Sequence, residues 1–437
     1  MMRGVGSRAP CTVGAAGTTG FIIGRIMLHR LVVLGPALLA GVLSAGAHAQ
    51  SGDTLSSCLQ RLRAQAPAQG VSVADFDRYT QNVTLLESTV RAAKSQPEHR
   101  DTWWEYLAKT VDQERVDDGS KVLAEQAAEL ARIEQAYGVE EHALVAIFGI
   151  ETNYGRQLGK TPVLDAWVTR ACTESNRLWA ANVYAAIKLL RDDVVQPEQF
   201  VGSWSGAFGM TQFIPTSFYE LAADGDGDGR IDLYGSLPDA LASSANHLRK
   251  RGVRWTSGVP PVVEVRLPEA LAARLPASPA EATLGDDRRT LAQWVQAGVR
   301  AADGAALAGS AKEAQAYLFA PAGRDGPVFL ATRNFDAILH YNRSPRYALA
   351  VSLLVNRLSG GSGLTTPWPT DDPGLSRAEI RELQQRLLDR GHDVGVADGI
   401  PGARTREAIE AEQARLGLPV DGRPGMKALQ ALRRAGA

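Results

Sequence analysis

The 437-residue chain is 45% hydrophobic and 22% charged, a globular composition and too apolar for a disordered chain. Its 47 Lys and Arg stand against 48 Asp and Glu, a net charge of −1, so no global basic field is available to hold nucleic acid. A multi-span membrane protein would need several uncharged apolar runs of about 20 residues, and a single long run occurs.

That run is at the front. Arg25, His29 and Arg30 precede Leu31 to Ala40, and Ala47-His48-Ala49 forms a small-x-small cleavage pattern, so residues 1–49 are predicted to be a secretory signal. Gly35 and Pro36 interrupt the run, and no retained membrane span is expected. Export to an oxidising compartment leaves Cys58 and Cys172 as an even pair, for which a disulfide is expected, with two separately buried thiols as the alternative. Since Cys11 falls in the predicted signal, two Cys and few His leave no zinc-ligand spacing in the remainder.

Further along, Ser120 to Tyr137, Glu140 to Tyr154, Arg177 to Val194, Leu237 to Lys250 and Tyr347 to Leu358 carry apolar residues at helical spacing. Gly138, Gly155 and Gly252 stand where left-handed helix ends cost little. Pro260 to Leu267 alternates as a strand does and opens an Ala/Pro-rich lobe reaching to about Pro327. Residues 360–373 form a Gly-rich then Pro-rich linker. In the tail, Asp398-Gly399-Ile400-Pro401-Gly402 returns as Asp421-Gly422-Arg423-Pro424-Gly425, each copy leading into a helix, and Leu383, Leu387, Ile409 and Leu429 supply a small three-helix core. The linker predicts few contacts between tail and main body.

Three clusters carry chemistry. In the first, Leu144, Ile147, Phe148 and Glu151 follow i, i+3, i+4, i+7, which puts a carboxylate on the apolar face of its own helix and in its last turn. Burial and the negative end of the helix dipole both favour the protonated acid, the state that protonates a glycosidic oxygen. A helix-end salt bridge, with Arg156 as partner, is the plainer alternative. The second cluster, Ser203 to Pro215, mixes small residues, aromatics and Gln212, suited to sugar faces and hydroxyls or simply to a Gly-rich turn entering a helix. The third, Asp224, Asp226 and Asp228 with Gly229 and the carbonyl of Arg230, matches positions 1, 3, 5, 6 and 7 of an EF-hand calcium loop. Position 12 is Gly235, so the closing carboxylate must come from elsewhere, with Asp239 nearest.

These clusters, in this order, resemble the membrane-bound lytic transglycosylase B family of peptidoglycan-cleaving enzymes over Asp53 to Leu358. The resemblance implies a mainly α (α+β) chain with a lysozyme-like catalytic domain at 51–359 that includes a small mixed lobe. It makes Glu151 the single acid/base and places Tyr154, Ser203, Gln212, Phe213, Tyr341, Asn342 and Tyr347 along the saccharide groove. Phe335, Ile338, Leu339 and Asn342 share a helix face, so Asn342 is expected to point inward. The family's calcium loop is one residue longer here, ending at Asp239. Residues 374–437 resemble the common three-helix peptidoglycan-binding domain through Leu383-Gln384, Gly391, the two Asp-Gly turns and Thr405.

The expected function is non-hydrolytic cleavage of the MurNAc-GlcNAc β-1,4 bond of periplasmic glycan strands, giving 1,6-anhydroMurNAc ends, with structural Ca2+ and no organic cofactor. A hydrolytic muramidase, with Glu141 or Glu174 as second carboxylate, and a non-catalytic wall-binding scaffold remain alternatives.

Overall fold

The computed structural model describes residues 55–95, 101–174, 176, 178–250, 252–307 and 309–435. The expected signal, 1–49, lies outside them. Seven helices come first: α1 (Leu55–Gln65), α2 (Val73–Thr80), α3 (Glu87–Ser95), α4 (Trp103–Thr110), α5 (Gln113–Glu125), α6 (Ala127–Tyr137) and α7 (Glu141–Thr152). Several starts are written in the sequence, since Ser72, Thr102 and Asp112 each accept the backbone N–H three residues on. The single helix expected over Ser120 to Tyr137 is in fact two. It breaks at Gln126, with φ −108, which lets α5 pack on α7 while α6 turns to reach α11 as well.

After β1 (Thr161–Pro162) come α8 (Val163–Thr173) and α9 (Leu178–Arg191), then β2 (Val201–Gly202), antiparallel to β1, α10 (Pro215–Leu221) and α11 (Leu237–Lys250). Cys58 of α1 is disulfide-bonded to Cys172 of α8, closing the first helices onto a core that contains Phe76, Trp167, Ile187 and Leu189.

The lobe beyond Pro260 holds β3 (Val262–Arg266), α12 (Glu269–Ala272), β4 (Ala282–Thr290), α13 (Leu291–Gln296), β5 (Arg300–Ala301), β6 (Gln315–Ala320) and β7 (Phe329–Thr332). The strands form an antiparallel sheet in the order β4-β6-β7-β3-β5. Its two faces serve two cores. On β6, Tyr317 and Phe319 point to the helical body, where Phe319 meets Trp103 and Phe335, while Ala316, Leu318 and Ala320 face the lobe's own core around Leu291 and Trp294. Then follow α14 (Arg333–Tyr341) and α15 (Pro345–Leu358), which packs along α7. Enclosed by α5, α6, α11 and α15, α7 is buried continuously from Ala143 to Gly149 and meets solvent only towards its two ends.

The tail comprises α16 (Arg377–Asp389), α17 (Ala403–Arg415) and α18 (Met426–Ala435), around the expected Leu383, Leu387, Ile409 and Leu429. Its repeated turns share one device. The Oε1 of buried Gln384 accepts Gly399 N–H and its Nε2 donates to Asp398, and Gln413 does the same with Gly422 and Asp421.

The expectation of a loosely tethered tail is corrected by the structure. Thr365 and Thr366 donate backbone N–H groups to Glu264, Trp368 packs on Trp104, and Gly374 approaches α4 so closely that a Cβ there would lie 2.5 Å from the Trp104 carbonyl oxygen. Ion pairs then join tail to body: Arg377 with Asp112, Arg381 with Glu114, Arg406 with Asp101 and Arg423 with Glu105. The linker composition is flexible by nature, but these anchors fix its course.

Candidate active site

The site is built on the end of α7. Glu151 is half-buried in the last turn, at the negative end of the helix. The helix then stops earlier than Gly155. Asn153 (φ 50), Tyr154 (φ 58) and Gly155 (φ 79) are all left-handed, a run that an aromatic residue joins only when surroundings dictate it. Those surroundings are visible. Tyr154 donates its hydroxyl to the Arg115 carbonyl at 2.7 Å, Thr152 donates its own to the Met210 carbonyl at 2.6 Å, and Asn153 accepts from Arg377 at 2.7 Å. Buried Arg115, its guanidinium pushed down to about 10 by burial and then by the charge of Arg377, donates to the Gly149 carbonyl.

Tyr154, expected in the groove, thus spends its hydroxyl inside the protein. Its ring fills the space left by two glycines, for a Cβ on Gly119 would lie 2.4 Å from its hydroxyl oxygen and one on Gly149 2.6 Å from its Cζ. Facing Glu151 are Tyr341 and Tyr347, whose rings stack 6.5 Å apart. Burial, and next the charge of Glu151, push both phenols up, so they stay neutral donors at neutral pH. Tyr341 donates to the Thr211 carbonyl at 2.7 Å; the Tyr347 hydroxyl is buried and lacks a hydrogen bond of ordinary geometry.

The Ser203 to Pro215 segment is locked to the same turn through Met210. Ser203 Oγ accepts Ala207 N–H at 3.2 Å and pairs with Ser205 Oγ at 3.0 Å. Gln212 is left-handed (φ 52), and its amide donates to the carbonyls of Gly209 and Leu158. Phe213 is buried, edge-on to His247 and Tyr341, so it backs the site rather than lining it. Asn342 is the cap after α14, extended and half-buried, because the helix whose face it was expected to share ends one residue earlier at Tyr341.

The two candidate second carboxylates are differently placed. Glu141 opens α7, about 15 Å along the axis from Glu151 at 1.5 Å per residue. Glu174 is held by Arg170 at 2.8 Å and Trp179 at 3.0 Å. A cavity of about 210 Å³ between Glu140, Trp255 and Asn356 also lies at the far end of α7.

In the acidic loop, carboxylate oxygens of Asp224, Asp226 and Asp239 lie within 4.8 Å of one another. Asp239, buried in the first turn of α11, organises the loop by accepting the N–H groups of Gly225 (2.6 Å) and Asp232 (2.7 Å). Three oxygen donors at this spacing suit a hard cation such as Ca2+. Asp228 stands outside the cluster, exposed and accepting Arg230 N–H at 2.7 Å. Repulsion among loop carboxylates gives no sequence signal for which oxygens converge. Arg115 and Arg377 were likewise invisible, because their partners lie far away along the chain.

Residues 54–356 match the family described as Transglycosylase SLT domain, and 376–432 match Putative peptidoglycan binding domain. The chain is 34% identical over 158 residues to membrane-bound lytic murein transglycosylase B of Escherichia coli K12, a match spanning 36% of this chain and 43% of that relative. Among solved structures it is similar to Pseudomonas aeruginosa SltB3 in complex with NAG-anhNAM-pentapeptide, at 40% identity and a TM-score of 0.67 over 87% of this chain and all of that one. It is also similar to the Escherichia coli lytic transglycosylase Slt35 in complex with calcium, at 26% identity and a TM-score of 0.57 over 69% of this chain and 92% of that one. Among the described residues no helix is long and apolar enough to cross a membrane. With a family match over more than half its length, the chain belongs to the transglycosylase SLT family of lytic transglycosylases and carries a peptidoglycan-binding domain behind it.

Proposed function

We propose that this protein, exported to the periplasm after loss of residues 1–49, cleaves the MurNAc-GlcNAc β-1,4 bond of peptidoglycan without water. The observation that carries the reading is one carboxylate, Glu151, fixed in a braced turn and faced by two neutral tyrosines. Glu151 gives its proton to the leaving glycosidic oxygen. The resulting carboxylate takes the proton of the sugar's C6 hydroxyl as that oxygen bonds to C1, which closes a 1,6-anhydro ring and returns the acid to its starting state. A single group suffices because the nucleophile belongs to the substrate, unlike the two-carboxylate arrangement of ordinary glycosidases. The Tyr347 hydroxyl, beside Glu151, is placed to steady that carboxyl as it exchanges protons with substrate.

Residues 51–359 are the catalytic domain in this reading, and 374–437 hold the wall. The relative SltB3, solved with an anhydro-muropeptide, supports the product assignment. Ca2+ is proposed as a structural ion held by Asp224, Asp226 and Asp239, consistent with the calcium complex of Slt35.

Glu151→Gln tests the acid. It preserves size and hydrogen bonding, so folding and sacculus binding are expected to persist while turnover drops by about two to four orders of magnitude. Near-normal turnover would mean that the acid lies elsewhere, and binding by the wild type without cleavage would favour the scaffold alternative.

A further inference from the structure

We infer that Arg377, a residue of the wall-binding tail, is a positioning residue for the catalytic turn, so that the docked tail is part of the active site's framework as well as a tether. The inference rests on Glu151 being the acid.

Arg377 is the first residue of α16 and nearly buried, with its side chain 11% exposed. Its Nε and one terminal nitrogen grip the Asp112 carboxylate at 2.7 and 2.8 Å, and its backbone N–H adds a third bond to Asp112 at 3.1 Å. The remaining terminal nitrogen, Nη1, donates to Asn153 Oδ1 at 2.7 Å, two residues after Glu151. Asp112 is in turn the N-cap of α5, accepting Arg115 N–H at 2.9 Å, and Arg115 is the residue that holds both the Gly149 carbonyl and the Tyr154 hydroxyl. One planar fork therefore ties the tail to both sides of the turn that ends α7. A point charge could pair with Asp112, but only the fork reaches Asp112 and Asn153 together. Asn153 is buried and left-handed, so its side chain has little other means of being held.

A tether acts on wall binding, whereas a positioning group acts on the chemical step, and a short soluble glycan fragment separates the two. In the full chain, Arg377→Ala is expected to lower kcat on such a fragment by about 10- to 100-fold, as small misplacements of reacting groups do, with KM within about threefold of wild type. Arg377→Lys should recover part of the loss. Asn153→Gly keeps the left-handed backbone and removes the acceptor, so it should be comparably slow, and the double variant should be no slower than the slower single one. If Arg377→Ala fails to fold, the Lys and Gly variants carry the comparison. Unchanged kcat in these variants, beside an inactive Glu151→Gln, overturns the inference and leaves the acid assignment standing. An active Glu151→Gln enzyme overturns the assignment, and the inference with it.

Discussion

Three acidic side chains near one another repel unless protons, N–H groups or a cation offset their charge. In the 224–239 loop, backbone N–H groups already take part of that role: Asp224 accepts Gly227 and Gly229, and Asp239 accepts Gly225 and Asp232. Carboxylate oxygens nevertheless converge from Asp224, Asp226 and Asp239, not from the first three loop carboxylates that the EF-hand spacing suggests. Calcium is therefore expected to raise the melting temperature, by about 1–2 °C for each kcal/mol of binding in a chain of this length. Asp224→Ala should abolish the shift and Asp228→Ala should preserve it. Thermal scans with calcium and with chelator check this, and a shift lost in Asp228→Ala but kept in Asp224→Ala would relocate the ion.

Among the secondary elements, α7 shows how a local rule is broken for a tertiary purpose. Gly149 inside a buried helix forfeits about 1 kcal/mol of propensity against Ala, yet its missing Cβ is what admits the Tyr154 ring. Gly149→Ala should accordingly destabilise the protein, with the overpacking penalty of about 1–3 kcal/mol outweighing the gain in propensity. Turnover should fall as Tyr154 leaves the Arg115 carbonyl. A variant as stable and as active as wild type would show that the ring is not needed to hold the turn. The sequence revealed α7, α11 and α15 because their apolar residues recur at helical spacing, and β3 because it alternates. It hid the rest of the lobe, where β4 is polar and slips register between Leu284 and Arg289, and where β6 and β7 are apolar on both faces. The Glu151 turn was legible as a motif, but its three consecutive left-handed residues were not, since Asn153 and Gly155 favour that conformation and Tyr154 between them does not.

Across the whole molecule, the tail's docking depends on charge. Burial pushes the Asp112 carboxyl up, but hydrogen bonds from Arg377 and Arg115 outweigh it and hold the group below its ordinary value. A carboxylate depressed in the folded state contributes its stabilisation above the unfolded value of about 3.9 and loses it as pH falls through the folded one. Hydrogen exchange at the start of α16 should therefore be slow and steady from about pH 7 to 5 and accelerate below about 4, after correction for intrinsic rates. Loss of protection on raising the pH would contradict the Asp112 anchor. Added salt should loosen the more exposed pairs, Arg381 with Glu114 and Arg423 with Glu105, before the buried Arg377 clamp.

What body and tail together accomplish is read most directly from the mass of what they release. Wild-type protein incubated with purified sacculi should give soluble muropeptides lighter by one water than hydrolytic products, because the C6 hydroxyl of the sugar replaces water at C1. Muropeptides that carry the full water would contradict the account, make the protein a muramidase, and require a second carboxylate to activate that water, which Glu141 at the other end of α7 does not supply.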